Sequence, residues 1–221
     1  MNLIQWDKAL LVNLNAHHSS FWDGVMWMAT DEINWIPFFL ILLYTLYKAK
    51  GKEFFLILIA ITLTVVLCDQ VSGIFKEWIA RPRPSREPDI MHQLHIVNNY
   101  RGGKYGFFSS HAANTFGIAV LLAFVLKNTL VTSILLIWAA FESYTRIYLG
   151  VHYPLDILTG MLFGILSGYL IYRLHTYVIS HFNLGMYDNK AQKTNGLLLF
   201  VFLMNLFMIF AASQSISDFL L

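Results

Sequence analysis

Long apolar runs separated by short polar connections dominate the chain. Six runs approach the length of about 20 residues that a helix needs to cross a bilayer; they cover roughly residues 33–47, 54–75, 110–126, 129–145, 154–174 and 196–213. The first run is short, and we expect part of residues 21–30 to lengthen it. Each run is predicted to form a membrane-spanning helix.

A different pattern precedes the first run. Residues 3–14 repeat apolar side chains at helical spacing, opposite the polar Asp7 and Asn13; the apolar positions are Leu3, Trp6, Leu10 and Leu14. This pattern predicts an amphipathic helix lying in the membrane interface. A helix that binds a partner protein is the less favoured alternative.

The composition agrees with a membrane protein. Of the 221 residues, 57% are hydrophobic and 13% are charged, whereas about a quarter of a soluble domain is charged. The net charge of +2 is too small to indicate a nucleic-acid partner. We predict one all-α domain over residues 1–221, a polytopic membrane helix bundle of about six transmembrane helices with an N-terminal interfacial helix.

The unusual polar residues gather on one face of this predicted bundle. If the spans alternate in direction, the connections at about 80–108 and 146–153 open on the same face as the start of the third span. The opposite face has the connections 48–52, 127–128 and 175–195. Charged groups near a bilayer core cost a few kcal/mol each unless they face a protein interior or a wet cavity. The sequence therefore predicts one site, on one face.

Cations and prolines end the second span. The stretch KEWIARPRP contains Lys76, Arg81 and Arg83, and its residues Pro82 and Pro84 hold the chain extended. Guanidinium groups that are fixed in this way suit phosphate oxygens. Anchoring to lipid headgroups is the alternative interpretation of the same cations.

The third span begins within the stretch GFFSSHAANTF. Ser109 or Ser110 is a natural N-cap, and His111 falls in the first helical turn. Free N–H groups and the positive end of the helix favour a bound anion there. The alternative is a capped helix with an incidental histidine.

The connection between the fourth and fifth spans contributes a third group. Gly150 ends one helix, and Pro154 suits the first turn of the next. Asp156 then lies close enough to accept a hydrogen bond from the His152 ring, which fixes the tautomer and leaves the other ring nitrogen free to attack or to accept a proton. A zinc site of two histidines and an aspartate is the alternative, although the nearby cations would repel the metal.

Glu142 and Arg146 lie four residues apart on the fourth span, which allows an intrahelical ion pair. A second hypothesis for the whole chain is a transporter or channel in which Asp69, Glu142 and Arg146 form an ion path. Such a path needs charged groups in both halves of the bundle, and the half away from the site is nearly bare of them.

Together, two histidines, several cations, a helix N-terminus and a carboxylate can stabilise a transferring phosphoryl group without a metal. The cations and N–H groups neutralise its oxygens, one histidine attacks, and the other protonates the leaving oxygen. We therefore predict no metal and no cofactor.

At these residues the chain resembles the type 2 phosphatidic acid phosphatase superfamily of integral-membrane lipid phosphatases. The family has three motifs in order: Lys, six residues, Arg-Pro; Pro-Ser-Gly-His; and Ser-Arg, five residues, His, three residues, Asp. The matching positions here are Lys76 with Arg83-Pro84, then Phe108-Ser109-Ser110-His111, then Thr145-Arg146 with His152 and Asp156. The resemblance covers roughly residues 53–175.

The resemblance implies a role for each matching residue. His152 is the nucleophile that forms a phosphohistidine, Asp156 orients it, and His111 is the general acid that later helps water to attack. The residues that hold the substrate phosphate are Lys76, Arg83, Ser109, Ser110 and Arg146. Phe108 replaces the family proline and leaves the loop less rigid, while the Ser110 hydroxyl, in place of glycine, either adds a phosphate contact or narrows the pocket. A catalytically inactive, lipid-binding relative is a third hypothesis, against which the complete set of catalytic residues argues.

By the same resemblance, the substrate is undecaprenyl pyrophosphate, phosphatidylglycerol phosphate, phosphatidic acid or a lipid A phosphate. Loop 85–107 is expected to border the headgroup; its candidate contacts are Arg86, His92, His95, Arg101 and Lys104. The oligomeric state stays open, because the glycines Gly160, Gly164 and Gly168 permit close helix packing within the bundle or between subunits.

The resemblance also implies a site on the outer, periplasmic face of a bacterial cytoplasmic membrane. Apart from the phosphate ligands, the site face holds five cations: Lys8, Arg81, Arg86, Arg101 and Lys104. The opposite face holds seven: Lys48, Lys50, Lys52, Lys127, Arg173, Lys190 and Lys193. Because cytoplasmic loops carry an excess of cations, this difference favours an outward-facing site.

Overall fold

The computed structural model describes residues 2–182 and 195–217 of the chain. Its described residues form eight α-helices: α1 (Leu3–Asn15), α2 (Ser20–Ala29), α3 (Ile36–Lys50), α4 (Phe54–Ile79), α5 (Ser110–Leu126), α6 (Thr129–Tyr148), α7 (Pro154–His181) and α8 (Asn195–Ser217). The predicted all-α bundle is confirmed, and the number of membrane passes stays a prediction.

Several helical stretches have the length and composition of membrane spans. They are Glu32–Ile79, Thr129–Tyr148, Pro154–His181 and Asn195–Ser213. The first of them contains both α3 and α4, between which the chain turns at Gly51 with φ of 52°. Helix α5 is apolar but shorter. Large apolar side chains such as Trp78, which is 78% exposed, cover the outside of these helices. The chain is an integral membrane protein.

The prediction that residues 21–30 lengthen the first span is wrong. Helix α2 is a separate element that ends at Ala29. The side chains of Asn34 and Trp35 donate hydrogen bonds to the carbonyl oxygens of Met28 and Ala29, each at 2.8 Å. These bonds satisfy carbonyl groups that the end of a helix leaves unpaired. The chain therefore turns after α2 instead of continuing as one span.

The glycines of α7 pack within the bundle. A Cβ atom built at Gly160, Gly164 or Gly168 would lie 2.3 to 2.4 Å from a backbone oxygen of α5 or of its N-cap residue. At Gly160 that oxygen belongs to Ser109. Because only glycine allows this approach, α7 fixes the start of α5 beside its own start, and the polar residues of both helices meet there.

The predicted N-terminal helix is present as α1; of its predicted apolar positions, Leu3 and Trp6 are exposed, whereas Leu10 and Leu14 are half-buried. Leu3 is 65% exposed, whereas Asp7 is fully buried against the rest of the protein. Its position in the membrane interface stays a prediction. Of the cations predicted on the face opposite the site, Lys190 and Lys193 lie outside the described residues.

Candidate active site

The three motifs meet where two helices end and two begin. Lys76 lies in the last turn of α4, Arg146 in the last turn of α6, and Asp156 in the first turn of α7. The N-cap residue of α5, Ser109, donates its backbone N–H to the carbonyl oxygen of Asp156 at 3.1 Å. The backbone N–H of His152 donates to the carbonyl oxygen of Arg146 at 3.3 Å. Backbone bonds thus tie the second motif to the third.

His152 is the centre of this cluster, in the loop between α6 and α7. Its Nδ1 lies 3.4 Å from Oδ2 of Asp156, and its Nε2 lies 3.2 Å from Nη1 of Arg83. A guanidinium can only donate hydrogen bonds, so Nε2 accepts from it and the ring proton must be on Nδ1, facing Asp156. This tautomer leaves a lone pair on Nε2 beside a cation.

The surroundings of His152 keep its ring uncharged. The residue is 2% exposed, and this burial lowers the pKa of the His152 ring to about 4; the hydrogen bond that the ring donates to Asp156 opposes the shift, and the charge of Arg83 adds to it. Burying an ionised group in protein favours its neutral form. At neutral pH the ring is therefore uncharged, with a lone pair on Nε2.

Several donors hold Asp156 in place. Its Oδ2 accepts the backbone N–H of Tyr153 at 3.0 Å, and its Oδ1 accepts Nη1 of Arg81 at 3.0 Å. A Cβ at Gly106 would lie 3.0 Å from Oδ2 of Asp156 and 3.7 Å from Nδ1 of His152. The loop that precedes α5 thus closes over the histidine and its carboxylate, and a bulkier residue at this position would press on both.

Arg83 is held by the loops on either side of the site. Its Nε donates to the carbonyl oxygen of Tyr105 at 3.2 Å, and its Nη1 also lies 3.4 Å from the carbonyl oxygen of Val151. Burial lowers the pKa of the Arg83 guanidinium, and the charge of Arg146 acts in the same direction. The group nevertheless stays cationic. Among the described residues, neither Arg83 nor Arg146 forms an ion pair with a carboxylate, and two such cations favour a bound anion.

The start of α5 supplies two serines with different contacts. Ser109 is the N-cap, and its Oγ accepts the N–H of Ala112 at 3.3 Å. The Oγ of Ser110 instead accepts a hydrogen bond from Nζ of Lys76 at 3.0 Å. The serine that replaces the family glycine therefore lies against a predicted phosphate ligand.

Phe108, which replaces the family proline, is 2% exposed. Its ring centroid lies 5.5 Å from that of Phe75 and 5.1 Å from that of Phe163. Aromatic packing between α4 and α7 thus anchors the residue before Ser109, a contact that the sequence comparison with the motif did not anticipate.

The possible ion pair between Glu142 and Arg146 does not form in the described structure. Glu142 is buried, and its Oε2 lies 2.9 Å from Nε2 of His111. Arg146 donates to Oγ1 of Thr30 and, at 3.1 Å, to the hydroxyl of Tyr100. The helix places Glu142 on the side of α6 that faces α5, so the histidine is the nearer partner.

His111 and Glu142 also border a cavity of about 230 Å³. Its polar end includes Asn114 and Glu32, and its apolar walls include residues of α3, α4 and α6: Phe39, Val65 and Trp138. No hydrogen bond joins His111 to His152 among the described residues; each ring has partners of its own.

Most cations of loop 85–107 hold the loop itself. Arg86 donates to the carbonyl oxygens of Gly102 and Gly103, and Arg101 donates to the carbonyl oxygen of Ser85 at 2.8 Å. His95 lies 2.8 Å from a carboxylate oxygen of Asp23 in α2, and His92 and Lys104 are exposed. A role for these residues at the headgroup stays a prediction.

Sequence reasoning missed Thr30 and Tyr100 as partners of Arg146, and Asp7 as a partner of Arg81. The local sequence around these three residues does not indicate the contacts. The sequence did indicate that Glu142 has a partner, because a carboxylate in an apolar span needs one. The nearest cation in the same helix, Arg146, is not that partner. In the described part of the chain, no three His, Cys, Asp or Glu side chains gather closely enough to hold a metal; metal-free chemistry stays a prediction.

Curated relatives share most of this chain. A lipid A 4'-phosphatase of Bacteroides thetaiotaomicron is 39% identical over 169 residues, which are 75% of this chain and 75% of that protein. A lipid A 4'-phosphatase of Porphyromonas gingivalis is 33% identical over 180 residues, 80% of this chain and 76% of the relative.

Two solved structures share the fold. The first transmembrane PAP2 type phosphatidylglycerolphosphate phosphatase from Bacillus subtilis aligns with a TM-score of 0.59 at 23% identity, over 80% of this chain and 89% of that chain. The structure of LpxE from Aquifex aeolicus aligns with a TM-score of 0.57 at 26% identity, over 75% and 93% of the two chains. A family model described as "PAP2 superfamily" matches residues 53–180. This match spans more than half of the chain and all three motifs, and with the two relatives it shows that the chain belongs to the PAP2 superfamily.

Proposed function

We propose that this chain, a membrane lipid phosphatase of the PAP2 superfamily, removes a phosphate monoester from a lipid A-type glycolipid through a phosphohistidine on His152. The single observation that carries the mechanism is the contact between Nε2 of the buried His152 and the guanidinium of Arg83, at 3.2 Å. It puts the lone pair of a neutral nucleophile next to a cation of the kind that binds phosphate.

The substrate phosphate binds among the cations of the site. Arg83, Arg146 and Lys76 neutralise its oxygens, and the Ser110 hydroxyl and the N-terminal N–H groups of α5 donate to it. On arrival of the phosphate, the Arg83 guanidinium transfers its hydrogen bond from Nε2 of His152 to a phosphate oxygen. The nitrogen lone pair is then free and faces the phosphorus atom.

In the first chemical step, Nε2 of His152 attacks phosphorus and forms the P–N bond as the P–O bond to the lipid breaks. His111 donates a proton to the leaving oxygen, so the lipid departs as a neutral alcohol. Asp156 compensates the positive charge that develops on the His152 ring. In the second step, His111 takes a proton from water, the water oxygen attacks phosphorus, and the P–N bond breaks to release inorganic phosphate.

Glu142 is the residue that orients His111. Its buried carboxylate lies 2.9 Å from Nε2 of the ring, so the opposite nitrogen, Nδ1, is the one that exchanges a proton with the leaving oxygen and with water. The lipid must extend away from the phosphate past this histidine. The cavity that His111 and Glu142 border, with its polar end and apolar walls, lies where that part of the substrate begins.

The preference for lipid A rests on the two relatives named lipid A 4'-phosphatase, which match about three quarters of the chain. A relative named as a putative undecaprenyl-diphosphatase of Escherichia coli is 32% identical over 66% of this chain, which makes an isoprenoid diphosphate the second candidate. In the glycolipid the phosphoryl group is bonded to an alcohol oxygen, whereas in the isoprenoid diphosphate it is bonded to a second phosphate.

A substrate panel tests this proposal. Purified protein in mixed micelles is given lipid A bearing both phosphates, undecaprenyl pyrophosphate, phosphatidylglycerol phosphate or phosphatidic acid, with and without EDTA, and phosphate release is measured. We expect the highest kcat/KM for lipid A and no effect of EDTA. Faster release from undecaprenyl pyrophosphate would contradict the substrate, and loss of activity to EDTA with recovery on adding zinc or magnesium would contradict the metal-free mechanism.

We further propose that the site faces the periplasm across a bacterial cytoplasmic membrane. Support comes from the cation distribution along the sequence, which favours a cytoplasmic location for the face opposite the site. A reporter fused to the C-terminus tests the orientation, because an even number of spans puts both chain ends on the site side. A cytoplasmic reporter signal would contradict it.

A further inference from the structure

Helix α1 places a buried carboxylate next to the residues of the active site. Asp7 has no exposed surface, whereas Trp6, its neighbour in sequence, is 45% exposed on the outer side of the helix. A buried carboxylate is costly unless cations and hydrogen-bond donors compensate its charge. The residues that bind Asp7 therefore indicate its role.

Both oxygens of Asp7 contact the segments that build the site. Oδ2 accepts a hydrogen bond from Nη2 of Arg81 at 2.7 Å, and Oδ1 accepts the backbone N–H of Leu155 at 3.0 Å. Leu155 lies in the first turn of α7, directly before Asp156, where a helix leaves N–H groups without partners. Burial raises the pKa of Asp7, and the hydrogen bond from Arg81 opposes that shift.

Arg81 connects this carboxylate to the catalytic one. Its second terminal nitrogen, Nη1, donates to Oδ1 of Asp156 at 3.0 Å. Its guanidinium also stacks on the ring of Tyr153, 3.7 Å from the ring centroid. The planar fork of one arginine thus bridges two fully buried carboxylates, and the ring below it sets the plane of the fork.

The chain of contacts continues to the nucleophile. Asp156 uses Oδ1 for Arg81 and Oδ2 for the ring of His152 and the N–H of Tyr153. The orientation of this carboxylate therefore depends on where Arg81 lies, and Asp7 is the residue that holds the other half of the Arg81 fork. Without Asp7, the guanidinium would keep one carboxylate partner and could rotate with it.

We propose that Asp7 is a positioning residue for the phosphatase reaction, acting through Arg81 and Asp156 on the orientation of the His152 ring. Helix α1 is then a part of the active site as well as a membrane-facing helix. This inference rests on the proposed roles of His152 and Asp156.

The test compares two neighbouring residues of α1. Asp7→Asn keeps the shape of the side chain and removes the charge that holds Arg81. Lys8→Met removes a different anchor of the same helix, the ion pairs of Lys8 with Glu87 at 2.9 Å and with Asp89 at 2.8 Å. We expect Asp7→Asn to lower kcat roughly 10- to 50-fold with KM unchanged, because only the reacting geometry is disturbed, and Lys8→Met to change kcat less than twofold.

A double-mutant cycle separates positioning from general loosening of α1. Because Asp7 acts through Asp156, adding Asp7→Asn to an Asp156→Asn enzyme should change kcat less than twofold. If Asp7→Asn does not fold, Arg81→Lys replaces it: the charge remains, but a single ammonium cannot bridge both carboxylates, and the same loss of kcat is expected.

Equal losses in Asp7→Asn and Lys8→Met, or full additivity of Asp7→Asn with Asp156→Asn, would overturn the inference. So would an unchanged kcat in the folded variants. His152→Ala is measured in parallel to distinguish the two failures. An inactive His152→Ala with a fully active Asp7→Asn would contradict only this inference. An active His152→Ala would contradict the proposed mechanism itself.

Discussion

The two histidines of the site are both held by a carboxylate, but their surroundings differ. The side chain of His152 is 3% exposed and lies in a loop. One ring nitrogen contacts Asp156 in the first turn of α7, and the other contacts the guanidinium of Arg83. The side chain of His111 is 21% exposed, lies in the first turn of α5, and contacts Glu142 from the neighbouring helix α6 beside a cavity.

This difference matches two different chemical tasks. A nucleophile benefits from being neutral and fixed, which burial and contacts on both ring nitrogens provide. A proton carrier has to meet the departing lipid in one step and water in the next, so it needs an open side. The surroundings of the two histidines, more than the residue type, thus distinguish their proposed roles, and the following experiments test that distinction.

The largest effect is expected for His152→Ala. Removing the proposed nucleophile should lower phosphate release by at least about 10⁴-fold and abolish an acid-labile phosphoenzyme formed from ³²P-labelled substrate. His181→Ala is the matched control, because His181 is an exposed histidine in the last turn of α7, at the opposite end of that helix from Asp156, and it should retain full activity. Activity of His152→Ala within tenfold of the wild type would assign the nucleophile to another residue.

The next effect is expected for His111→Ala, and its size should depend on the leaving group. With a lipid phosphate, whose alkoxide must be protonated, the rate should fall by about 10²- to 10⁴-fold. With p-nitrophenyl phosphate, whose phenolate leaves unaided, the loss should be less than tenfold. Asn114→Ala, at the same cavity, is the control. Equal losses for both substrates would remove His111 from the general-acid role.

A pH profile tests the neutral state of His152. Because burial lowers the pKa of this ring to about 4, and the protonated ring has no lone pair for attack, kcat/KM should begin to fall only as the pH drops toward 4. Below that value it should fall tenfold per pH unit. An acid limb that begins near pH 6.5, the ordinary range of histidine, would show that the ring is not held in the neutral form.

The smallest effect is expected for Glu142→Gln. The amide still accepts a hydrogen bond from His111 but lacks the charge, so turnover of a lipid phosphate should fall roughly fivefold, about 1 kcal/mol. Turnover of p-nitrophenyl phosphate should stay within twofold. Ser143→Ala is the control, a buried neighbour whose Oγ has no hydrogen-bond partner among the described residues. A loss that is the same for both substrates would indicate a structural role for Glu142.

Local rules account for the parts of the molecule that the sequence could predict. Apolar runs of spanning length have to become helices in hydrocarbon, because every backbone polar group must be paired within the segment; α4 to α8 follow the predicted runs closely. The N-cap at Ser109 and the contact between His152 and Asp156 also come from short spacings that one helix end determines.

The short first span illustrates where local rules end. A short polar stretch, residues 30–32, separates its apolar run from the preceding residues, and the side chains of Asn34 and Trp35 fold back onto the end of α2. The hydrophobic pattern does not show whether a helix continues through so short a stretch or turns there and is paired by later side chains.

The sequence by itself determined most of the helices, the order of the three motifs and the residues available for chemistry, since each depends on neighbours within a few turns. Only the tertiary structure decided the partners: Glu142 with His111 across 31 positions, Arg146 with Tyr100 across 46, and Arg81 with Asp7 across 74. Pairing over such separations depends on how helices pack. A buried charged group pairs with whichever group the helix packing brings within reach, and this partner cannot be predicted from spacing along the chain.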